Sequence, residues 1–447
     1  MARLQSRQIS QLHLYQVRHA VRVAGTPLSR AQIAEATGLS QPAVSSLTRR
    51  LLRSGALVEV GARPSSGSGR RERELALNAE HAWVVGVRVA LHQVTIALSD
   101  FAGGVRDTLV VPMPKPPTAA ELVRLLERRI ERFLAAAGGA VRARLAGVGI
   151  ALPGFIDSMR GEVLWSPALE RGRSHAPAPM AEALTRRLGV PVLIENDANM
   201  LALAEQWFGR SAHVADMAVV TIEHGLGLGL IVNGELHRGH RGIATELAHL
   251  QVAPDGPMCR CGKRGCLETY VSHAAVVRQA RHYGIVPGSD DLPPAEVMQA
   301  YSELAALARG GDTRALGVLV RQGQLLGQWI GNVVNLLAPE LVLFDGGATI
   351  ASDLYEPALR DSMEQALLLP QRGLIELVVR HQGDEAWARG ASSLVLQRLD
   401  ESSDFLESIS RHGFENDNVA RRPAPPDPPA ATAEQRAKRF LTQMETS

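Results

Sequence analysis

The sequence predicts an α/β chain in two parts: a small basic winged helix-turn-helix module, then a larger body of alternating strands and helices. Three observations predict it. Charge is unevenly divided, since residues 1–77 carry twelve Arg, no Lys, four Glu and no Asp, a net +8, and the rest of the chain sums to −6. Within that basic segment, two short helical patterns separated by a glycine turn follow a longer amphipathic one. From residue 82 the texture changes to short Val/Ile/Leu/Gly runs interleaved with helical stretches, as in mixed sheets covered by helices.

Bulk properties exclude several classes. At 447 residues, 45% hydrophobic and 4% aromatic, the chain is a soluble globular protein with room for two or three domains. The N-terminus MARLQSRQIS lacks the apolar run of a signal peptide. No apolar stretch is long enough to span a bilayer, so a cytoplasmic protein with no membrane association is expected. A basic end on an acidic body implies a polyanion-binding module, although charge alone describes a solvated basic face equally well.

Residues 9–24 read as an amphipathic helix with Ile9, Leu12, Val17, Ala20, Val21 and Ala24 near one face. Ser29 with Gln32 fits an N-terminal capping box, and Gly38 breaks the short helix that follows. Ser40 is placed to cap the next helix, Pro42 is tolerated in its first turn and Gly55 ends it. Val44, Leu47 and Leu51 fall on one stripe, leaving Gln41, Ser45, Thr48 and Arg49 largely outside it. The second helix of such a pair enters the major groove. Leu57–Val60 and Glu74–Leu77 read as strands flanking a Gly/Ser-rich loop with Arg63, Arg70, Arg71 and Arg73, suited to a wing along the phosphate backbone. In this order the features predict a winged helix-turn-helix over residues 1–78. It would bind a double-stranded DNA operator through Gln41, Ser45, Thr48, Arg49, Arg70 and Arg71. A plain helical appendage is the alternative.

The body is expected over 79–400. Ala82–Val87 and Gln93–Leu98 are strand-like, residues 119–137 helical, and Leu145–Leu152 a buried strand ending in Pro153-Gly154. Val190–Ile194 is a strand followed by an Ala/Leu-rich helix. Ala218–Ile222 and Gly229–Val232 bracket a glycine loop, and Leu341–Phe344 runs into Asp345-Gly346-Gly347. Beyond residue 400 the pattern fades into RRPAPPDPPAATAEQ, a Pro/Ala linker. Residues 401–447 are expected to be a largely disordered tail, ending in a short exposed helix at 433–443.

All three cysteines lie within eight positions, in the spacing His249-x9-Cys259-x-Cys261-x4-Cys266. An odd, clustered set cannot close a disulfide framework and points to metal or reactive chemistry in a reducing compartment. One imidazole and three thiolates are the closed tetrahedral set that zinc prefers in structural sites. Gly262 and Gly265 let the backbone turn tightly between them. A redox-reactive thiol group, or buried thiols with no ligand, are the alternatives.

The run Glu246-Leu-Ala-His249 … Cys259-x-Cys261-Gly-x-x-Gly-Cys266-Leu-Glu268 closely resembles the zinc signature of the ROK family, named for repressors, open reading frames and kinases. The resemblance continues through Gly147-Val-Gly-Ile-Ala-Leu-Pro-Gly154, Glu195-Asn-Asp-Ala-Asn199 and Gly225-Leu-Gly-Leu-Gly229, covering about residues 82–400. The helix-turn-helix and Gly69-Arg-Arg71 match the regulator branch. It implies an actin-like, ribonuclease-H-like fold of two lobes with a sugar in the cleft between them. It also implies roles: Asn196 and Asp197 hold sugar hydroxyls, with Asp197 the general base in a kinase. Glu246 and Glu268 grip further hydroxyls, and His249 contacts sugar while serving the zinc. Carboxylates and amides suit the reading of a polyol. Thr245 and Ala248 stand where kinases of the family have glycine. Asn196-Asp197 also reads as a helix-capping pair.

The nucleotide half departs from the family. Its kinases open with Asp-x-Gly-Gly-Thr, whose glycines let backbone amides approach ATP phosphates. Here the turn reads Arg88-Val-Ala90-Leu91-His92. The carboxylate is gone and Leu91 crowds the turn, so no enzymatic activity is expected. The Gly225–Gly229 run reads equally as a hairpin or a phosphate cradle. The expectation is a transcription regulator, a repressor of carbohydrate genes, controlled by a small carbohydrate and acting as a homodimer or larger oligomer. One recognition helix supplies too few base contacts for a specific operator. An ATP-dependent sugar kinase and a regulator answering to a protein partner are the alternatives.

Overall fold

The computed structural model describes residues 6–63, 72–170, 176–288, 292–380 and 383–401. The N-terminal module comprises α1 (Ser6–Ala24), β1 (Leu28–Ser29), α2 (Arg30–Thr37), α3 (Gln41–Arg53), β2 (Leu57–Arg63) and β3 (Glu72–Leu77), with the strands in the order β1-β3-β2. The capping box forms: Ser29 Oγ accepts from Gln32 N, and Gln32 Oε1 accepts from Ser29 N at 2.9 Å. Ser40 holds the N-cap position of α3 but its side chain makes no cap bond. Val17, Ile33, Val44, Leu51, Leu57 and Leu75 pack together as the apolar centre of this module.

Two expectations need correction here. The buried face of α1 is not the apolar stripe, since Ile9 and Leu12 are 40% and 48% exposed while Leu14, Val17, Arg18, Val21 and Arg22 are buried. Two arginines belong to that face because Asp400, more than 370 positions away, meets them. Thr48 is not on the outer face of α3. It is fully buried, its hydroxyl donating to the Val44 carbonyl at 2.8 Å and accepting from Arg30 Nε at 3.1 Å. Val44, Thr48 and Leu51 are spaced i, i+4, i+7, so Thr48 shares the core stripe. Arg70, Arg71 and the tail from residue 402 lie outside the described residues.

The body repeats one topology twice. Its first lobe runs β4 (Trp83–Val89), β5 (Gln93–Asp100), β6 (Val105–Pro112), α4 (Ala119–Ala137), α5 (Gly139–Ala143), β7 (Leu145–Leu152), β8 (Phe155–Asp157), β9 (Glu162–Trp165), α6 (Met180–Leu188), β10 (Val192–Asn196) and α7 (Asp197–Phe208). Its sheet has the order β10-β7-β4-β5-β6, with β4, β5 and β6 antiparallel and β7 and β10 parallel to β4. The second lobe adds β11 (Met217–Ile222), β12 (Leu226–Val232), β13 (Glu235–Leu236), α8 (Glu268–Val271), α9 (His273–His282), α10 (Pro294–Arg309), α11 (Thr313–Leu337), β14 (Leu341–Asp345), α12 (Ser352–Ala366) and β15 (Glu376–Val379). Its order β13-β12-β11-β14-β15 is the same arrangement: three antiparallel strands, then two parallel. This is the two-lobed actin-like architecture.

The last helix, α13 (Asp384–Glu401), follows β15 but packs on the first lobe's sheet. A Cβ on Gly149 would lie 1.8 Å from the Ala391 carbonyl oxygen, so only glycine in β7 lets the helix backbone rest directly on the strand. Helix α7 is wedged between α13 and the second lobe's β12. Its first residues, together with the strand ends, face the cleft between the lobes. Among the described residues, no helix is long and apolar enough to cross a membrane.

Candidate carbohydrate cleft and metal centre

The parallel strands β7 and β10 end where chain must reverse, and the family motifs sit at those ends. Pro153 and Gly154 follow β7, while β10 delivers Asn196 as the N-cap of α7 and Asp197 as its first residue. Asn196 Oδ1 accepts from Ala198 N at 2.9 Å and Asn199 N at 3.3 Å, and Asn196 Nδ2 donates to the Gly154 carbonyl at 3.1 Å. The capping role is therefore present, and one Nδ2 hydrogen is left over for a ligand. Asp197 opens into the cleft. Burial pushes its carboxyl up to about 6; Arg88 opposes the shift and Glu223 adds to it.

The second lobe supplies the opposite wall. Glu246 and Glu268 line the same cleft as Asn196, Asp197 and His249, so the five expected sugar residues converge. Burial raises Glu246 to about 7, helped by the charges of Asp197 and Glu268. Glu268, the first residue of α8, is raised by burial against the pull of Arg260. Thr245 is held at φ +65°, a left-handed conformation that a β-branched residue rarely adopts. That explains why glycine is usual there, and it marks local strain beside the site.

Three further lining groups carry no sequence signal strong enough to find them. Trp165 at the end of β9 presents an aromatic face, with Phe155 between it and His249 at ring separations of 5.4 and 5.8 Å. Arg260, between two cysteines, reaches to within 3.8 Å of Glu268. Trp387 enters from α13, nearly 200 positions after Asn196.

The turn where family kinases carry Asp-x-Gly-Gly-Thr presents side chains instead, Arg88, Ala90 and Leu91 lining the same cleft. Arg88 is buried in β4, lies 4.1 Å over the Trp387 ring and pairs with Glu223, just past β11 on the other lobe. Glu223 also accepts from Gly347 N at 3.3 Å. A resident carboxylate thus takes the backbone amide and the cation that a phosphate would seek. His92 packs edge-on against His224 at 5.7 Å, and burial pushes His224 down to about 4, so that imidazole is neutral at physiological pH. Leu226 to Ile231 pair with β11 as a hairpin. Glycine is needed at Gly229 because a Cβ would lie 2.4 Å from the Ala198 carbonyl oxygen of α7.

The cysteine knuckle hangs beside Glu246. His249 Nδ1 lies 3.6 Å from Cys259 Sγ, Cys261 Sγ lies 3.6 Å from Cys266 Sγ, and all four donor atoms fall within 4.8 Å of one another. A tetrahedral site with Zn–S bonds of about 2.3 Å has S···S edges of about 3.8 Å, so the donor set fits a closed metal site. Burial and the neighbouring sulfurs push the Cys266 thiol up to about 12. Three thiolates packed this closely repel one another unless a cation sits among them. At Gly265 (φ +64°) a Cβ would meet the Ala253 carbonyl oxygen at 1.5 Å, so the tight turn excludes any side chain. With Nδ1 turned to the sulfurs, His249 Nε2 faces Glu246 at 4.0 Å, which ties the metal shell to the cleft wall.

On the module, Gln41 and Arg49 are exposed on α3 and Ser45 is half-buried beside them, with Thr48 beneath. Arg73 is tied to Glu59 across the hairpin.

Residues 84–398 match the ROK family. The xylose repressor of Caldicellulosiruptor bescii is 29% identical over 83% of this chain and 92% of its own. The DNA-binding transcriptional dual regulator NagC of Escherichia coli is 31% identical over 83% of this chain and 89% of its own. Among solved structures, a ROK family transcriptional regulator described as a homologue of the Escherichia coli MLC protein superposes with a TM-score of 0.73 at 27% identity, covering 90% of this chain and 99% of that one.

Proposed function

The chain belongs to the ROK family, and from that premise we propose that it is a cytoplasmic transcription regulator, a repressor of carbohydrate genes, without kinase activity. Residues 1–78 bind an operator, 79–400 bind the effector sugar, and a homodimer or larger oligomer places two recognition helices on two half-sites. The reading is supported by one observation above the rest: regulators match 83% to 90% of this chain, more than the ROK match over 84–398 accounts for, and Arg88 pairs with Glu223 at the turn where family kinases have a carboxylate. Zinc bound by His249, Cys259, Cys261 and Cys266 is a structural cofactor, for four protein ligands leave no open position.

A sugar would bridge the lobes, with Asn196 and Asp197 on one and Glu246, His249 and Glu268 on the other. The module is fastened to the first lobe. Asp400 at the end of α13 is fully buried and pairs with Arg18 Nε at 3.1 Å and Arg22 Nε at 3.2 Å on α1. Arg22 also lies 5.1 Å over Phe101 and 5.5 Å over Trp207. From Trp387 at the cleft to Asp400 at this clamp, α13 spans about 20 Å of unbroken helix. Lobe closure therefore carries the module with it and changes the distance between recognition helices in the oligomer. Gln41, Ser45 and Arg49 read bases in this account, and Arg70 and Arg71 hold phosphates.

Anisotropy titrations of the full chain on duplexes selected from a random library test it, each repeated with a panel of monosaccharides. Operator affinity that changes at least fivefold with one sugar is the expected result; that factor corresponds to about 1 kcal/mol of coupling. Selected duplexes that bind no tighter than random sequence would sink the regulator reading. Sugar-dependent ATP consumption at an ordinary enzymatic rate would restore the kinase.

A further inference from the structure

A loop of the second lobe reaches across to hold the first. After β13 the chain runs from His237 to Glu246 with a left-handed backbone at Gly239 (φ +65°), Arg241 (φ +58°), Gly242 (φ +77°) and Thr245 (φ +65°). Two of these residues are not glycine, so the loop keeps its shape only because its contacts impose it. Ala244 N donates to the Arg238 carbonyl at 3.1 Å and closes the loop on itself. A Cβ on Gly242 would lie 2.7 Å from the Ile156 carbonyl oxygen, so the loop rests directly on β8 of the first lobe. Two arginines pin it there. Arg241 Nε donates to Asp157 Oδ2 at 3.0 Å, and Arg238 Nε donates to Glu195 Oε2 at 2.6 Å. Both carboxylates are buried.

The two anchors differ in what stands behind them. Asp157 is bonded within its own β8–β9 turn, where Oδ1 accepts from Arg160 N at 3.1 Å. Glu195 immediately precedes Asn196 and Asp197, and its Oε1 accepts from Asn196 N at 2.9 Å and from Asn199 Nδ2 at 3.1 Å. One buried carboxylate therefore ties the end of β10 to the first turn of α7. We propose that Arg238 is a positioning residue for the effector: acting through Glu195, it fixes the turn that presents Asn196 and Asp197 to the cleft. The inference rests on the reading of the cleft as the effector site. A buried carboxylate keeps its charge only beside a partner. Without Arg238, Glu195 takes up a proton or turns toward water, and because the group is rigid and planar its Oε1 moves with its Oε2. The Asn196 amide then loses its acceptor, and Asp197 shifts with the turn. From Arg238 the same loop runs on to Glu246 in the opposite wall. A single short segment thus sets the spacing of both walls around a ligand.

Calorimetric titration of the zinc-loaded full chain tests it, with glucose, N-acetylglucosamine, mannose and xylose as probes. For the sugar that binds, Arg238→Gln should weaken affinity at least about tenfold, and Arg238→Lys, which restores the cation, should recover most of the loss. Arg241→Gln, on the same loop but opposite Asp157, should cost less than about threefold. The decisive protein combines Arg238→Gln with Glu195→Gln. There an amide oxygen still accepts from Asn196 N and Asn199 Nδ2 while its NH2 group donates to the glutamine opposite, so affinity should return to within about fivefold of the wild type. A general loosening of the loop would give no such recovery. Equal losses in Arg238→Gln and Arg241→Gln, or a double variant no better than Arg238→Gln, overturn the proposal while leaving the effector site standing. Should Arg238→Gln show no cooperative melt, the double variant decides alone: binding within about fivefold supports the proposal, and a greater loss or no fold overturns it. If no sugar of the panel binds the wild type, the effector reading itself fails and this inference with it.

Discussion

Asp197→Asn separates the cost of the cleft from its use. The Asp197 carboxyl sits at about 6 instead of 3.8, chiefly through burial, with Glu223 adding to the shift and Arg88 opposing it. An upward shift of about two units in the folded state is a penalty of up to about 3 kcal/mol on the ionised form. The folded-state value is raised, so the favourable contribution is complete below the unfolded value and is lost as pH rises through about 6. Asn keeps the side-chain oxygen that accepts from Ala198 N but has no charge to bury. At pH 7.5 the variant should therefore be the more stable protein, and near pH 4 the two should converge. With an unfolding entropy of about 2.1 cal/mol/K per residue over about 400 residues, 3 kcal/mol corresponds to about 3–4 °C in the melting temperature. Scanning calorimetry of both proteins at pH 4.5, 6 and 7.5, at one scan rate, reads this as a difference, so loss of metal in acid affects both alike. Sugar binding should move the other way, weaker by about 1.5–3 kcal/mol for a lost charged hydrogen bond. An Asn variant no more stable at pH 7.5, or equally advantaged at every pH, refutes the argument.

Three further outcomes follow from the same geometry. Arg49→Ala should cost about 1–3 kcal/mol on the selected operator and relax preference at one position, measured by anisotropy against single-base variants of the duplex; unchanged preference removes Arg49 from the base contacts. Cys261→Ser should take zinc content from one per chain toward zero by plasma mass spectrometry and weaken sugar binding through Glu246 and Glu268. Asp400→Asn, which leaves Arg18 and Arg22 buried without their counter-charge, should destabilise by about 3–5 kcal/mol in denaturant melts, whereas replacing all three with Met should recover most of it. Equal losses in those two proteins would show that packing and not charge governs the clamp.

Legibility in the sequence followed the range of the interactions. Helix α4 and strand β7 were readable to the residue because their signals are local: a helical pattern over 119–137 in one, an unbroken apolar run in the other. The knuckle was readable for the same reason, since four donors within eighteen positions carry their own geometry. The sugar wall needed the family resemblance, because Asp197 and Glu246 are far apart in the chain and meet only across the cleft. What escaped is what depends on distant partners. Helical periodicity assigns arginine to solvent, and nothing near Arg18 or Arg22 announces Asp400. Thr48 escaped for a subtler reason: a hydroxyl that bonds its own helix at Val44 is buried as readily as an alanine.

The placement of the arginines changes how the basic N-terminal segment should be understood. A net +8 over residues 1–77 suggested an undivided electrostatic footprint for DNA. In the structure Arg18 and Arg22 are consumed by Asp400, while Arg30 and Arg73 both face Glu59. Of the arginines on α3, Arg49 is exposed at the face that also carries Gln41. The charge therefore has two uses, one internal and one external, and only the external share contributes to counterion release on DNA. The salt dependence of operator binding should accordingly be shallower than twelve cations imply, because its slope counts the phosphates neutralised and not the arginines in the segment. The internal share lies on α1, at the buried junction with the body. A charged clamp at that junction loses far more when one partner is removed than a surface pair would. That asymmetry gives the module one seat on the body, and a regulator needs one seat if lobe closure is to reach DNA as a defined displacement.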